Sequence, residues 1–295
     1  MRRTHGGPRK AASFFPSAAT LLELLRLPNL FTVPGDILLG WTLGGMRGWV
    51  PLFGILSSLL LYACGLLLND FCDARTDARE RPSRPIPSGR VSRWCVLLLA
   101  AACAALGVGF ALRGWSVAVG LLGLILFYDI FAKHIPGIGI LTMGLCRGTN
   151  ILLGTAVSWP WTDMPIPNGL LPAGLFFTLY ILAVSAVALR EADPRHRPSF
   201  WLRYSPVATL VLPLADAWMR GAEAGWLMPV CALWLAVSIR LGGSVPAQVG
   251  RMIRFLVPLQ GVCCLIAGAP VLPIALTFAV LWIGAALTAR RYASS

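Results

Sequence analysis

Apolar residues do not alternate with polar ones along this chain; they run on. Ten apolar stretches, at 19–46, 50–70, 92–112, 115–132, 138–158, 169–189, 203–219, 224–240, 251–267 and 270–289, are separated by short polar segments. Most approach the twenty or so residues a helix needs to cross a bilayer. No period-two pattern suggests barrel strands, so backbone groups inside a membrane must be satisfied within helices. The last two stretches are parted only by Gly268-Ala269-Pro270, a turn or a kink, which leaves nine or ten spans. The fold class expected is all-α: a polytopic transmembrane helix bundle in one domain over 19–295. Residues 1–18, which open Met-Arg-Arg and are rich in Gly, Pro and Ser, read as a disordered cytoplasmic tail. The apolar run after them is too long for a signal segment and stays as the first span.

Composition reinforces the pattern. The chain is 57% hydrophobic and 13% charged, where soluble domains carry roughly a quarter charged residues. The net charge of +13 raises the question of nucleic acid, but the basic residues sit at span ends and not in a separate domain. Topology accounts for them. The loops near 71–91, 133–137, 190–203 and 241–251, with the two tails, hold nearly all twenty-five Lys and Arg, and the opposite loops hold Arg47, Arg113 and Arg220. The positive-inside bias then places both termini and those four loops in the cytoplasm, beside anionic lipid headgroups. Usage rich in arginine and poor in lysine suggests a bacterial plasma membrane. The eight cysteines form no Cys-x-x-Cys pair and read as small core residues, excluding a disulfide or zinc framework.

In so apolar a chain the acids stand out. Four of the twelve, Asp70, Asp73, Asp77 and Glu80, fall within eleven positions. Offsets of three and four put Asp70, Asp73 and Asp77 on one helical face. Carboxylates stacked so repel one another unless a cation neutralises them, and Mg²⁺ with diphosphate oxygens fits that need. The alternative is a solvated helix end paired with Arg75, Arg79 and Arg81; it is weak for Asp70, which adjoins an apolar run. Next comes Arg81-Pro82-Ser83-Arg84-Pro85-Ile86-Pro87-Ser88-Gly89, a proline-stiffened loop presenting Arg81 and Arg84 as candidate diphosphate ligands. Tyr128-Asp129 and Lys133 close the fourth span. Lys133 either pairs locally with Asp129 at i,i+4 or reaches a phosphate, and Tyr128 offers a hydroxyl or a ring face to a carbocation. Arg147 and Asn150 lie inside the fifth span, where a guanidinium requires an anion, either Asp36 of the first span or a substrate phosphate. Asn29 and Asp36 are candidate site-lining residues, as are Asn69 and, after the sixth span, Glu191, Asp193 and Arg197. Asp193 is a candidate second metal ligand.

Together, Asn69-Asp70-x-x-Asp73-x-x-x-Asp77, the Arg-Pro-x-Arg-Pro-Ile-Pro-Ser-Gly continuation and Tyr128-Asp129-x-x-x-Lys133 resemble the UbiA family of intramembrane prenyltransferases over about residues 20–267. The opening Leu-Leu-Arg-Leu-Pro-Asn-Leu-Phe-Thr-Val-Pro-Gly-Asp is similar to the EboC-type branch. The resemblance implies a bundle, usually of nine spans, around a central cavity open to lipid, and two Asp-rich motifs holding a polyprenyl diphosphate through Mg²⁺. The second motif departs from the family pattern: Glu191-Ala192-Asp193 has acids two apart rather than about four, followed by Pro194, Arg195, His196 and Arg197.

The expected function is transfer of a prenyl group from a polyprenyl diphosphate to an aromatic or hydroxyl acceptor. Asp70, Asp73 and Asp77, with Glu191 or Asp193, hold Mg²⁺, and Arg81, Arg84, Lys133 and Arg147 neutralise the departing pyrophosphate. A lipid transporter, or a protein that binds the diphosphate with weak turnover, is the competing reading. Transport predicts polar residues scattered through the depth of many spans, and here they gather at the ends of spans two, four and six.

Overall fold

The computed structural model describes residues 15–46, 51–158, 166–189 and 198–291. Their regular structure is helical, with no strand among the described residues. In chain order the α-helices are α1 (Ala18–Leu24), α2 (Leu27–Leu30), α3 (Pro34–Leu43), α4 (Pro51–Glu80), α5 (Arg93–Phe110), α6 (Trp115–Ile130), α7 (Pro136–Ser158), α8 (Leu170–Ala188), α9 (Phe200–Ala208), α10 (Val211–Arg220), α11 (Leu227–Arg240), α12 (Val245–Arg254), α13 (Leu256–Ile266) and α14 (Val271–Arg291). Seven helical segments among the described residues are long and apolar enough to cross a membrane: Pro51–Glu80, Arg93–Phe110, Leu112–Ile130, Pro136–Val157, Leu170–Ala188, Val245–Ile266 and Val271–Ala289.

The other three apolar stretches are broken into shorter helices. The first becomes α1, α2 and α3 because Arg26 adopts a left-handed conformation (φ 45°) and Pro28 and Pro34 each open a new helix, where a missing N–H costs nothing. Ser17 caps α1 by accepting from the Thr20 amide at 3.2 Å. The stretch 203–219 divides into α9, with Pro206 inside it, and α10. The stretch 224–240 contributes the 14 residues of α11. In the other direction, the helix expected from 251 begins at Val245, where Pro246 occupies its first turn, and bends at Phe255 into α13.

The bundle has an inner and an outer set. Helices α4, α7 and the α12–α13 pair are the most buried of the long segments, while α5, α6 and α14 present rows such as Leu98, Leu106, Val119 and Leu276 to the surroundings. Where α3 crosses α7 the backbones touch. A side chain at Gly40 would strike the Ile151 carbonyl, one at Gly154 would meet Ile37, and Thr155 Oγ1 donates to the Gly40 carbonyl at 2.7 Å. Small residues permit such approach where lipid provides no hydrophobic drive for helices to associate. The last helix, α14, packs on α2 and α13. Its Phe278 lies beside Gly35 and Gly261, so the end of the chain closes over its beginning.

Candidate active site

Helix α4 runs ten residues past the end of the apolar run, and its last turns carry Asn69, Asp70, Asp73 and Asp77. Asp70 and Asp77 are buried and Asp73 is partly exposed. Three basic residues from three other elements neutralise them. Arg26, at the left-handed break between α1 and α2, points its guanidinium at Asp70 from 3.5 Å. Arg84, on the proline loop after α4, lies 2.8 Å from Asp77 and 3.6 Å from Asp70. Lys133, in the turn between α6 and α7, lies 2.6 Å from Asp73. None of Arg75, Arg79 or Arg81 forms an ion pair among the described residues, and Arg81 is exposed.

Lys133 does not pair with Asp129. The α-helix ends at Ile130, and Lys133 sits in a 3-10 turn where four residues no longer make one helical step. Asp129 is buried and turns instead to α4: with its amide oriented to satisfy both carboxylates, Asn69 donates to Asp129 at 3.1 Å and to Asp73 at 3.3 Å. Tyr128 is half-buried one residue earlier, within electrostatic reach of Asp73 and Arg26. The loop carrying Arg84 is itself tied down. Arg90 makes a bidentate pair with Glu23 of α1 and donates to the Ser83 carbonyl at 2.6 Å. The hydrogen bond to Glu23 raises the Arg90 pKa beyond its ordinary range.

A second polar group is buried between α3, α4, α7 and α13. Asp36 is fully enclosed, and its carboxylate is shared three ways: Arg147 at 2.8 Å, Asn150 at 2.9 Å and Gln260 at 2.7 Å. Arg147 also donates to the Thr32 carbonyl, which accepts from Gln260 too, and Ser58 donates to Asn150 at 2.7 Å. Between the two groups Asn29 lies beside Tyr62, two turns before Asp70 on α4. The residues singled out in the sequence therefore divide: Asn69, Asp70, Asp73, Asp77, Arg84 and Lys133 converge, while Asp36, Arg147 and Asn150 form a separate internal lock. Glu191, Asp193 and Arg197 lie outside the described residues. Of the aromatic residues near these motifs, Phe71 lies under Arg93, 4.2 Å from guanidinium carbon to ring centre, and Tyr180 is buried, donating to the Met252 carbonyl.

Arg26, Tyr62 and Gln260 are site residues the sequence reading passed over. Arg26 looked like one more basic residue at a span end. Tyr62 had a signal, since positions 62, 66 and 70 share a face of α4. Gln260 had one as an amide inside an apolar span.

The acidic cluster has the chemistry a hard divalent ion requires. One oxygen of Asp70 is buried without a hydrogen-bond partner, and each carboxylate faces a cation. No group of three acidic, histidine or cysteine side chains stands ready to hold a metal among the described residues. Mg²⁺ takes one or two carboxylates and fills its remaining positions with water and phosphate oxygens.

The sequence profile of the UbiA prenyltransferase family matches residues 30–256. The chain belongs to that family. Among its UbiA-type relatives, digeranylgeranylglyceryl phosphate synthase of Methanopyrus kandleri is 32% identical over 175 residues, 58% of this chain and 60% of the relative. The bacteriochlorophyll synthase 33 kDa chain of Rhodobacter capsulatus is 28% identical over 191 residues, again 58% and 60%. The chain thus spans about 60% of the length of these curated relatives. The UbiA fold is shared with a solved UbiA homolog from Archaeoglobus fulgidus bound to GPP and Mg²⁺, with a TM-score of 0.61 at 14% identity, covering 90% of this chain and 98% of that one. Helix α14 lies wholly beyond the family match, and so do Arg26 and Gln260.

Proposed function

We propose that this UbiA-family protein transfers a prenyl group from a polyprenyl diphosphate to an acceptor nucleophile in a Mg²⁺-dependent reaction at the cytoplasmic face of its membrane. The observation that carries the reading is the convergence of Arg26, Arg84 and Lys133, from three separate elements, on Asp70, Asp77 and Asp73 of one helix. The named chemistry of the relatives and the GPP and Mg²⁺ of the A. fulgidus homolog support it.

Asp70, Asp73 and Asp77 are the residues that would hold the metal, with Asp193 and Glu191 contributing from the sequence that follows α8. The metal, when bound, supplies charge neutralisation on the diphosphate oxygens. Arg26, Arg84 and Lys133 take up the charge that grows on the leaving oxygen as the allylic C–O bond breaks and pyrophosphate departs. Arg81, on the proline loop, and Arg197, in the sequence that follows α8, meet the diphosphate as it enters. Tyr128 presents its ring to the electron-poor allylic carbon. The acceptor then forms the new bond at that carbon and loses its proton. Asn69 keeps Asp73 and Asp129 in register, and the Asp36–Arg147–Asn150 lock holds α3 and α7 fixed behind the site. The product named for the archaeal relatives carries geranylgeranyl groups on a glyceryl phosphate, which favours a hydroxyl acceptor over an aromatic one.

The test is pyrophosphate release from protein in lipid nanodiscs given farnesyl or geranylgeranyl diphosphate, alcohol or aromatic acceptors, with and without Mg²⁺. Metal- and acceptor-dependent release with a mass-shifted product is the expected result. Failure of folded protein to bind any donor would return the reading to transport.

A further inference from the structure

The three basic residues that face the acidic helix stand on the carboxylates a metal would neutralise. Three carboxylates, Asp70, Asp77 and Asp73, are met by three cations, Arg26, Arg84 and Lys133, and a fourth, Asp129, beside them is met by the Asn69 amide. The cluster is therefore nearly balanced without a metal. A divalent ion arriving alone would put two further positive charges beside side chains that are mostly enclosed; the Lys133 and Arg84 side chains are 10% and 13% exposed. A diphosphate brings several negative charges at once and offers the guanidiniums a bidentate partner. The contacts are also graded. Lys133 on Asp73 and Arg84 on Asp77 are close, at 2.6 and 2.8 Å, whereas Asp70 is held only by long contacts of 3.5 and 3.6 Å and keeps one oxygen without a hydrogen bond. Arg26 is the most exposed of the three, at 27%, and sits at a break in the helix rather than within one.

Resting on the transferase reading above, we infer that Arg26, Arg84 and Lys133 are exchangeable counter-ions, and that Arg26 moves first. In the resting protein they stand on the carboxylates and suppress metal binding. When a prenyl diphosphate docks, they transfer to its oxygens and release Asp70, then Asp73 and Asp77, to the metal. Metal and diphosphate consequently bind as one coupled event, by the reciprocity that links two ligands each of which frees the groups the other needs. Arg26 thereby gains a role beyond charge: it discourages an idle metal at an empty site.

The exchange has an unusual signature, because removing the counter-ion should shift the two affinities in opposite directions. The experiment is a Mn²⁺ titration followed by electron paramagnetic resonance on nanodisc protein, together with binding of a non-ionising farnesyl thiolodiphosphate at saturating Mn²⁺. Arg26→Gln should tighten Mn²⁺ binding to the ligand-free protein by on the order of tenfold and weaken binding of the thiolodiphosphate. Arg26→Lys should restore both toward the wild-type values. A variant that is merely misfolded loses both affinities and fails the Lys rescue; Arg84→Gln, at a different backbone site, then provides the same opposed pair of readings. Weaker thiolodiphosphate binding with unchanged Mn²⁺ affinity would overturn the exchange and leave Arg26 a plain phosphate ligand. Unchanged values for both would remove Arg26 from the site. No thiolodiphosphate binding by wild-type protein at any Mn²⁺ concentration would instead defeat the transferase reading.

Discussion

Asp73 and Gln260 separate what single residues do here. Asp73 is partly exposed, sits in the middle of the acidic face and pairs with Lys133. Asp73→Asn preserves shape and removes charge, so folded protein should remain while Mg²⁺-dependent product formation falls by about a hundredfold or more, the scale seen when a key electrostatic group is lost. Initial rates in nanodiscs check this. Gln260 is fully buried and donates both to Asp36 and to the Thr32 carbonyl. Gln260→Leu leaves a buried acceptor short of its donor and should cost about 1–3 kcal/mol, measured by denaturant unfolding in detergent. The acidic face was legible in the sequence because carboxylates three and four apart admit few arrangements. The partners were not. Arg84, Lys133 and Arg26 reach α4 through a proline loop, a 3-10 turn and a left-handed residue, three local geometries that periodicity does not encode. The Asp36–Arg147 pairing was readable as one of two options, since a guanidinium inside a span must find an anion and only a few are available.

At the scale of elements, the informative departure is the first apolar stretch, read as one span and found as three short helices. Its two prolines were visible, but proline is tolerated in membrane helices, so their presence alone did not decide between a kink and a break. The break is what brings Arg26, Asn29 and Asp36 to three different levels of α4 and α7. Its third piece, α3, is held to α7 through Gly40 and Gly154. Gly40→Leu should force the two backbones apart and cost about 1–3 kcal/mol, read as a lower unfolding midpoint. The Glu23–Arg90 pair is a milder tie between α1 and the Arg84 loop, with both side chains about two-fifths exposed (38% and 41%). Glu23→Gln should change stability by less than about 1 kcal/mol yet weaken donor binding, because Arg84 loses the brace on its loop. Isothermal titration with a thiolodiphosphate separates the two effects.

Across the whole molecule, composition and run length gave the class, and the charge asymmetry gave an orientation that can be checked. In a cysteine-depleted background, Ser83→Cys and Glu223→Cys should label from opposite faces of oriented vesicles, with Ser83 on the cytoplasmic one. The way α14 and α13 fold back over the first helices was not legible, because nothing in either stretch names its neighbour. That closure has a consequence for how the protein is made. Asp36 leaves the ribosome 111 residues before Arg147 and 224 before Gln260. At about 5–20 residues per second, its last donor emerges some tens of seconds after it does. Until Arg147 and Asn150 emerge, about halfway through that interval, the first segment carries an acid that costs about 2.5–3.5 kcal/mol at mid-membrane, with no partner yet synthesised. We expect nascent chains halted before Gln260 to leave a cysteine placed at Thr32 open to aqueous thiol reagents, and chains released at full length to protect it. The segment that carries Asp36 is thus made well before the residues that hold it and is among the last to settle.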